Sequence, residues 1–408
     1  MISIFRKLQI LFSKISLQRI TNTGKFIPEI DGLRFIAISL VVIYHIDYFI
    51  FRENLNQYNF AKENFSFLHS LCLRGHFGVQ IFFIISAFIV SLPFCNYYHG
   101  NGNHPTIKDF LMRRLTRLEP PYIISLLLFY WIYVYLLDLK THEELRSSFL
   151  ASLFYSHGFV FDRYHHPLVN NVIWSLEIEI QFYLLAPFIL AGIYKLGKWR
   201  YQGLIFLTFF ISIISKFYKP EYYSLYEYFH FFTLGILLCD LYVIQKDKKW
   251  STPTLIVEIL TAAALIIGIW VTDITYMGKF NDPLKAALSS AQLVFLFLFF
   301  YLVLFRKFWK SFFTNPWITV IGGMCYTLYL FHNQIISGTG FYLIRKFYFS
   351  NYFIADYLAY SILMIFFILV ASVIFFILIE RPCMDRKWPQ KLWWLIKEKL
   401  YLNGKTKI

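Results

Sequence analysis

The apolar positions of this chain neither alternate nor mark one face of isolated amphipathic helices; they run on. Ten predominantly apolar segments follow one another, at about 33–51, 77–95, 120–137, 172–194, 203–216, 226–245, 254–272, 286–305, 318–340 and 354–379. Most reach the roughly 18–20 residues that a helix needs to cross a hydrocarbon core. The fifth is short, and the fourth and ninth carry polar residues. The pattern predicts an all-α polytopic membrane protein with about ten transmembrane helices. A transmembrane β-barrel would instead show segments of about ten residues alternating in polarity. No internal repeat, low-complexity tract or soluble linker divides the chain. One membrane domain over 28–382 is therefore expected, between an N-terminal segment (1–27) and a basic tail (383–408).

Composition agrees. Of 408 residues, 58% are hydrophobic and 15% charged, against about a quarter charged in soluble proteins. The net charge of +15 would suggest nucleic acid in a soluble protein. In a membrane chain, Lys and Arg gather on cytoplasmic loops and at anionic headgroups, so the expected partner is the bilayer and not nucleic acid. With the N-terminus inside, the inner segments hold 26 Lys and Arg and the outer ones 12, with Arg34 in a span. That bias predicts both termini cytoplasmic, with "KLGKWR" (195–200), "QKDKKW" (245–250) and "RKFWK" (306–310) on the same side. Arg345 and Lys346 fall outside, against the trend. The N-terminus lacks the form of a cleavable signal peptide. Phe5, Leu8, Phe12 and Ile15 recur at helical spacing, with Lys7 and Lys14 elsewhere on the surface, as in an interfacial amphipathic helix. "WPQKLWWLIKEKLYL" (388–402) has the same character. The five cysteines show no metal or disulfide spacing and are expected to be buried thiols. No metal is expected.

Ionisable groups inside the apolar runs are the candidate chemistry. Arg34 and His45 in "IDGLRFIAISLVVIYH" lie eleven residues apart, nearly on one helix face and roughly 16 Å apart along the axis. In "NVIWSLEIEIQFYLLAPF" Glu177 can sit at the outer surface, whereas Glu179 lies two residues deeper and needs a cation, a histidine or a proton. In "MCYTLYLFHNQII" Tyr329 and His332 share a face. Two histidines and a carboxylate suit general-base chemistry on a hydroxyl; they equally suit a proton-coupled transporter or a flippase of a lipid-linked glycan. "FLMRRLTRLEPPY" carries Arg113, Arg114 and Arg117, the last two at i, i+3. Guanidinium forks bind phosphate well, which points to a phosphorylated donor arriving from the cytoplasm. His157, His165 and His166 sit in the largest outer loop, about 138–171, expected to be solvated and to meet the acceptor.

Together these stretches resemble the membrane acyltransferase family called acyltransferase type 3, which includes bacterial O-acetyltransferases of lipopolysaccharide and other surface glycans. "IDGLRFIAISLVVIYH" matches its opening motif, a basic residue followed by ten residues and a His. "GVQIFFIISAFIV" (78–90), "FLMRRLTRLEPPY", "WSLEIEIQFYLLAP" (174–187), "YTLYLFH" (326–332) and "FFILIERP" (375–382) follow in the family's order. Ala87, Ile180 and Asn333 depart from its pattern, and no appended esterase-like domain follows residue 382. The resemblance implies that 28–382 is an acyltransferase domain in the bacterial inner membrane. It would move an acyl group, usually acetyl, from acetyl-CoA or another acyl-CoA to a hydroxyl of a saccharide or lipid-linked glycan acceptor, such as lipopolysaccharide O-antigen or exopolysaccharide. By the same resemblance His45 is the catalytic base, with Glu179 and His332 supporting it. Arg34, Arg113, Arg114 and Arg117 line the donor path.

Overall fold

The computed structural model describes residues 17, 19–20, 26–54, 66–246, 255–273, 282–346, 353–391, 393–394 and 397. The expected N-terminal amphipathic helix, most of "QKDKKW", the side chains of Arg345 and Lys346 and much of the C-terminal amphipathic stretch lie outside the described residues.

Every predicted apolar segment is helical. In chain order the helices begin with α1 (Pro28–Asn54), α2 (Ser66–Leu73), α3 (Phe77–Tyr98), α4 (Ile107–Trp131), α5 (His142–Leu153) and α6 (His157–Val160). They continue with α7 (Trp174–Lys195), α8 (Arg200–Phe217), α9 (Leu225–Gln245), α10 (Leu255–Val271) and α11 (Asp282–Phe305). The last are α12 (Lys307–Phe313), α13 (Pro316–Gly323), α14 (Cys325–Lys346), α15 (Phe353–Phe375) and α16 (Arg381–Cys383). Among the described residues, seven helical stretches are long and apolar enough to cross a membrane: those of α1, α2–α3, α4, α7, α9, α11 and α15. Seven of the ten expected spans are thus matched among the described residues. α10 is apolar but only 17 residues long, and α8 and α14 carry more polar side chains.

α1 sits at the centre. It packs on α3, α13 and α14, while α3 leans on α9, α9 on α8, and α14 on α15. Backbones touch at two glycines here. A Cβ on Gly78 would fall 2.2 Å from the Ala37 carbonyl oxygen, and one on Gly322 1.8 Å from that of Asp31, so any side chain would push α3 or α13 off α1. Phe188 of α7, Phe206 of α8, Ile267 of α10 and Ile362 of α15 point outward and are exposed. Such an apolar exterior fits a lipid solvent, and the helices satisfy their own backbone groups as lipid requires. All five cysteines are free, four of them buried.

The segment 138–171 departs in part from expectation: His165 and His166 are exposed, but His157 and one face of the segment fold into the protein. Thr141 and Glu144 form a reciprocal capping box that starts α5. The Thr141 amide and hydroxyl hold the Glu144 carboxyl below its ordinary value. Leu145, Ser148 and Ser152 then turn inward and are buried. Just past the end of α5, Tyr155 has a φ of 52°, in the left-handed region that closes helices. The chain then returns through α6 and is sewn to α14. Asn170 Nδ2 donates to the Leu330 carbonyl (2.8 Å), and Gln334 Nε2 to that of Val169 (2.8 Å). Asn333 Nδ2 donates to Asn171 Oδ1 (2.7 Å).

Candidate active site

A cavity of about 770 Å³, its open mouth included, lies between α1, α3, α4, α7, α14 and the turn after α15. Arg34, Arg114, Arg117, Glu179, Tyr183 and Glu380 supply its polar lining, with Ser86, Ser175 and Tyr329. Helical register explains the arginines. Arg114 and Arg117 share the inward face of α4, whereas Arg113 is exposed on the outer side. Of the expected donor-side arginines, Arg34, Arg114 and Arg117 are thus brought together and Arg113 is not.

Each charge has a defined setting. Arg34 donates to Asp31 Oδ1, one turn earlier on α1. The Arg114 guanidinium lies 5.7 Å from the Tyr183 ring centre and 5.9 Å from that of Phe110, within cation–π range. Tyr183 donates its hydroxyl hydrogen to Glu179 Oε2. Ser86 must therefore donate to the Tyr183 oxygen, 2.8 Å away. Glu179 is half-buried on a line of hydroxyl donors, facing the arginines across the cavity. Glu380 Oε2 accepts from the Thr327 amide (3.1 Å) and hydroxyl, and Arg117 is its electrostatic partner. Glu380 was not singled out from sequence, although its signal was the same as that of Glu179: a carboxylate at the end of an apolar run, in "FFILIERP".

The histidines form a second cluster at one wall of this cavity. The rings of His45 and His332 are 4.8 Å apart, centre to centre, nearly edge to face. Tyr329, which lines the cavity, lies 5.6 Å from His332. Tyr329 donates to the Val172 carbonyl (2.7 Å) and accepts from Ser175 (2.7 Å). In both histidines Nδ1 faces main-chain carbonyls: Val41 for His45 (2.9 Å), Tyr329 (2.8 Å) and Leu328 (3.1 Å) for His332. A carbonyl only accepts, so Nδ1 carries the hydrogen in the neutral ring and Nε2 presents its lone pair. His332 is fully buried, and its Nε2 has no hydrogen-bond partner. Two imidazoles are thus held in the tautomer a general base needs.

The other ionisable candidates are structural. Glu177 is buried, and its carboxylate accepts from the backbone amides of His157 (3.0 Å) and Gly158 (2.9 Å), pinning the inward-folded segment to α7. His157 Nε2 pairs with Ser148 (3.1 Å), and His165 with Asp162 (2.8 Å).

The family described as Acyltransferase domain (Acyl_transf_3) matches residues 27–381. YrhL of Bacillus subtilis (strain 168), provisionally named a peptidoglycan O-acetyltransferase, is 28% identical over 213 residues, 49% of this chain and 30% of its own length. A Staphylococcus aureus (strain COL) protein, provisionally named an O-acetyltransferase, is 26% identical over 77% of this chain and 51% of its own. The peptidoglycan O-acetyltransferase OatA of Listeria monocytogenes is 29% identical over 43% of this chain and 26% of its own. The chain therefore spans about half or less of the length of these relatives. No solved structure matches it. The aligned span covers all the cavity-lining helices, and this multi-pass membrane protein belongs to the acyltransferase-domain family.

Proposed function

We propose that the protein is an acyl-CoA-dependent O-acyltransferase that moves acetyl to a hydroxyl of a cell-envelope saccharide, in the bacterial inner membrane. The observation that carries this reading is the junction at Tyr329. On one side lies a cavity lined by three guanidiniums; on the other lie two imidazoles whose Nε2 lone pairs are set free.

The guanidiniums of Arg34, Arg114 and Arg117 suit the phosphates of coenzyme A. His45, the partly exposed member of the pair, takes the proton of the acceptor hydroxyl through Nε2. The oxygen attacks the thioester carbonyl, an O–C bond forms, the C–S bond breaks, and the thiolate recovers the proton from His45 as free coenzyme A. His332 packs the edge of His45 and sets its orientation. Glu179, with Tyr183 and Ser86, lies where it can orient the donor and balance the arginines. Peptidoglycan, which the names of two relatives give as their substrate, is the first acceptor to test, beside lipopolysaccharide O-antigen and exopolysaccharide.

The test is transfer of labelled acetyl from acetyl-CoA by membranes holding wild type, His45→Ala or Arg117→Ala. His45→Ala is expected to lose transfer. Arg117→Ala is expected to raise the KM for acetyl-CoA. Full transfer by the His45→Ala protein would sink the assigned mechanism. Movement of a glycan driven by a proton gradient, with no acetyl-CoA consumed, would replace it with a transporter.

A further inference from the structure

The cavity has a fourth arginine beside it. Arg19 belongs to the segment that precedes the matched domain, which begins at residue 27. Its Nη1 donates to Asp31 Oδ1 at 2.8 Å, the same oxygen that Arg34 uses. A Cβ on Gly323, a lining residue, would lie 3.5 Å from the Arg19 Cβ. Leu17 and Ile20 hold the segment in place by packing on the core between α1 and α14.

The donors here outnumber their acceptors. One carboxylate oxygen cannot satisfy two five-donor guanidinium forks. Arg19 Nε and Arg117 Nε are buried without a hydrogen-bond partner. Around the mouth, the cations of Arg19, Arg34, Arg114 and Arg117 face the carboxylates of Asp31, Glu179 and Glu380. One positive charge is left over even with every carboxylate ionised. Burial first, then repulsion from Arg34 and Arg117, pushes Arg19 down to about 9; it remains charged at neutral pH. Buried cations with spare donors and a net positive field form a receptor for an oxyanion.

We propose that Arg19 is a phosphate-binding residue of the donor site, donating to a phosphate or diphosphate group of the acyl donor when the cavity is filled. This rests on the acyl-CoA reading above. Asp31 holds Arg19 beside the cavity; with the donor seated, Arg34 keeps Asp31 and Arg19 turns its fork to phosphate. The family domain then borrows one ligand from the segment before it.

The test is binding of coenzyme A, and of pantetheine, which lacks the phosphates, to the full-length protein in detergent by calorimetry. Arg19→Ala is expected to weaken coenzyme A at least about tenfold, to reduce the salt dependence of its Kd and to leave pantetheine unchanged. Arg19→Lys, a point charge without the fork, should fall between. If wild type fails to bind coenzyme A, the donor reading itself fails. If wild type binds and Arg19→Ala binds equally well with the same salt dependence, Arg19 is only an anchor and this inference is overturned. Should Arg19→Ala fail to accumulate, wild type decides. Coenzyme A but not pantetheine should slow tryptic cleavage between residues 14 and 25, and equal rates with both overturn the inference.

Discussion

Two buried ionic clusters in this molecule use the same residue types to different ends. One joins α3, α7, α8 and α9. There Asp240 Oδ1 accepts from His99 Nε2 at 2.7 Å and from the Tyr194 hydroxyl at 2.5 Å, while Oδ2 accepts from Arg200 Nε at 3.0 Å. Each oxygen is claimed. The other is the cavity and its histidine wall, where Arg19 Nε, Arg117 Nε, Asp31 Oδ2 and His332 Nε2 are buried with no partner. Burial alone does not separate them, because Asp240 and Asp31 are equally inaccessible. Satisfaction does. A closed set of hydrogen bonds is a joint between helices, whereas an open set costs stability that a substrate can return.

The contrast can be broken in four places. The largest effect is expected at His45. His45→Ala should lower transfer by roughly 10²–10⁴-fold, the usual worth of a general base, with little change in thermal stability; a matching fall in stability would make His45 a joint like Asp240. Asp240→Ala should do the reverse. Removing a buried charge from its partners costs about 3 kcal/mol or more, seen as a lower melting temperature in detergent, while the kcat/KM of the surviving folded protein holds. Glu177→Gln should be milder, about 1–3 kcal/mol, since one amide oxygen is left for two backbone donors. Its readout is faster protease cleavage within 138–171, not a lower Tm of the helical core.

The smallest effect is a pH dependence of that same segment. Burial, then the nearby His166 and His165, push His157 from 6.5 down to about 4. Its ring faces Ser148, and its backbone amide faces Glu177. The folded form therefore takes up its proton later than the unfolded one. The contribution to docking is fully present above about pH 6.5 and is lost as pH falls toward 4. Cleavage within 138–171 should rise over that window, and His157→Gln should flatten the rise.

Reading the sequence located the helices well because apolar runs report lipid-facing and core surface together. Arg34 and Glu179 stood out because a charge inside such a run needs a reason, and Arg114 and Arg117 because they belong to a dense arginine cluster directly before one. The same argument applied to Glu380 and was not used there. Arg113 was grouped with its neighbours on adjacency, and only helix register separated it. The inward fold of 138–171 was out of reach. Its capping box is written locally, but Ser148 is enclosed by His157 and Leu168, Ser152 meets Tyr122 of α4, and Asn170 is held by α14, more than a hundred residues later. Arg19 was hidden for a similar reason: its partner is twelve residues on, across residues that carry no helical signal.

The glycine contacts along α1 carry one more consequence. With α3 seated against Ala37 and α13 against Asp31 at backbone distance, the helix bearing both Arg34 and His45 has no room to slide or tilt. On the function proposed above, it would act as a fixed gauge of roughly 16 Å between Arg34 as anion grip and His45 as base. The proposed donor would then be selected by reach, its reactive carbon standing one gauge length from its phosphates. Insertion of a single residue between positions 34 and 45 would turn the base about 100° away from the grip.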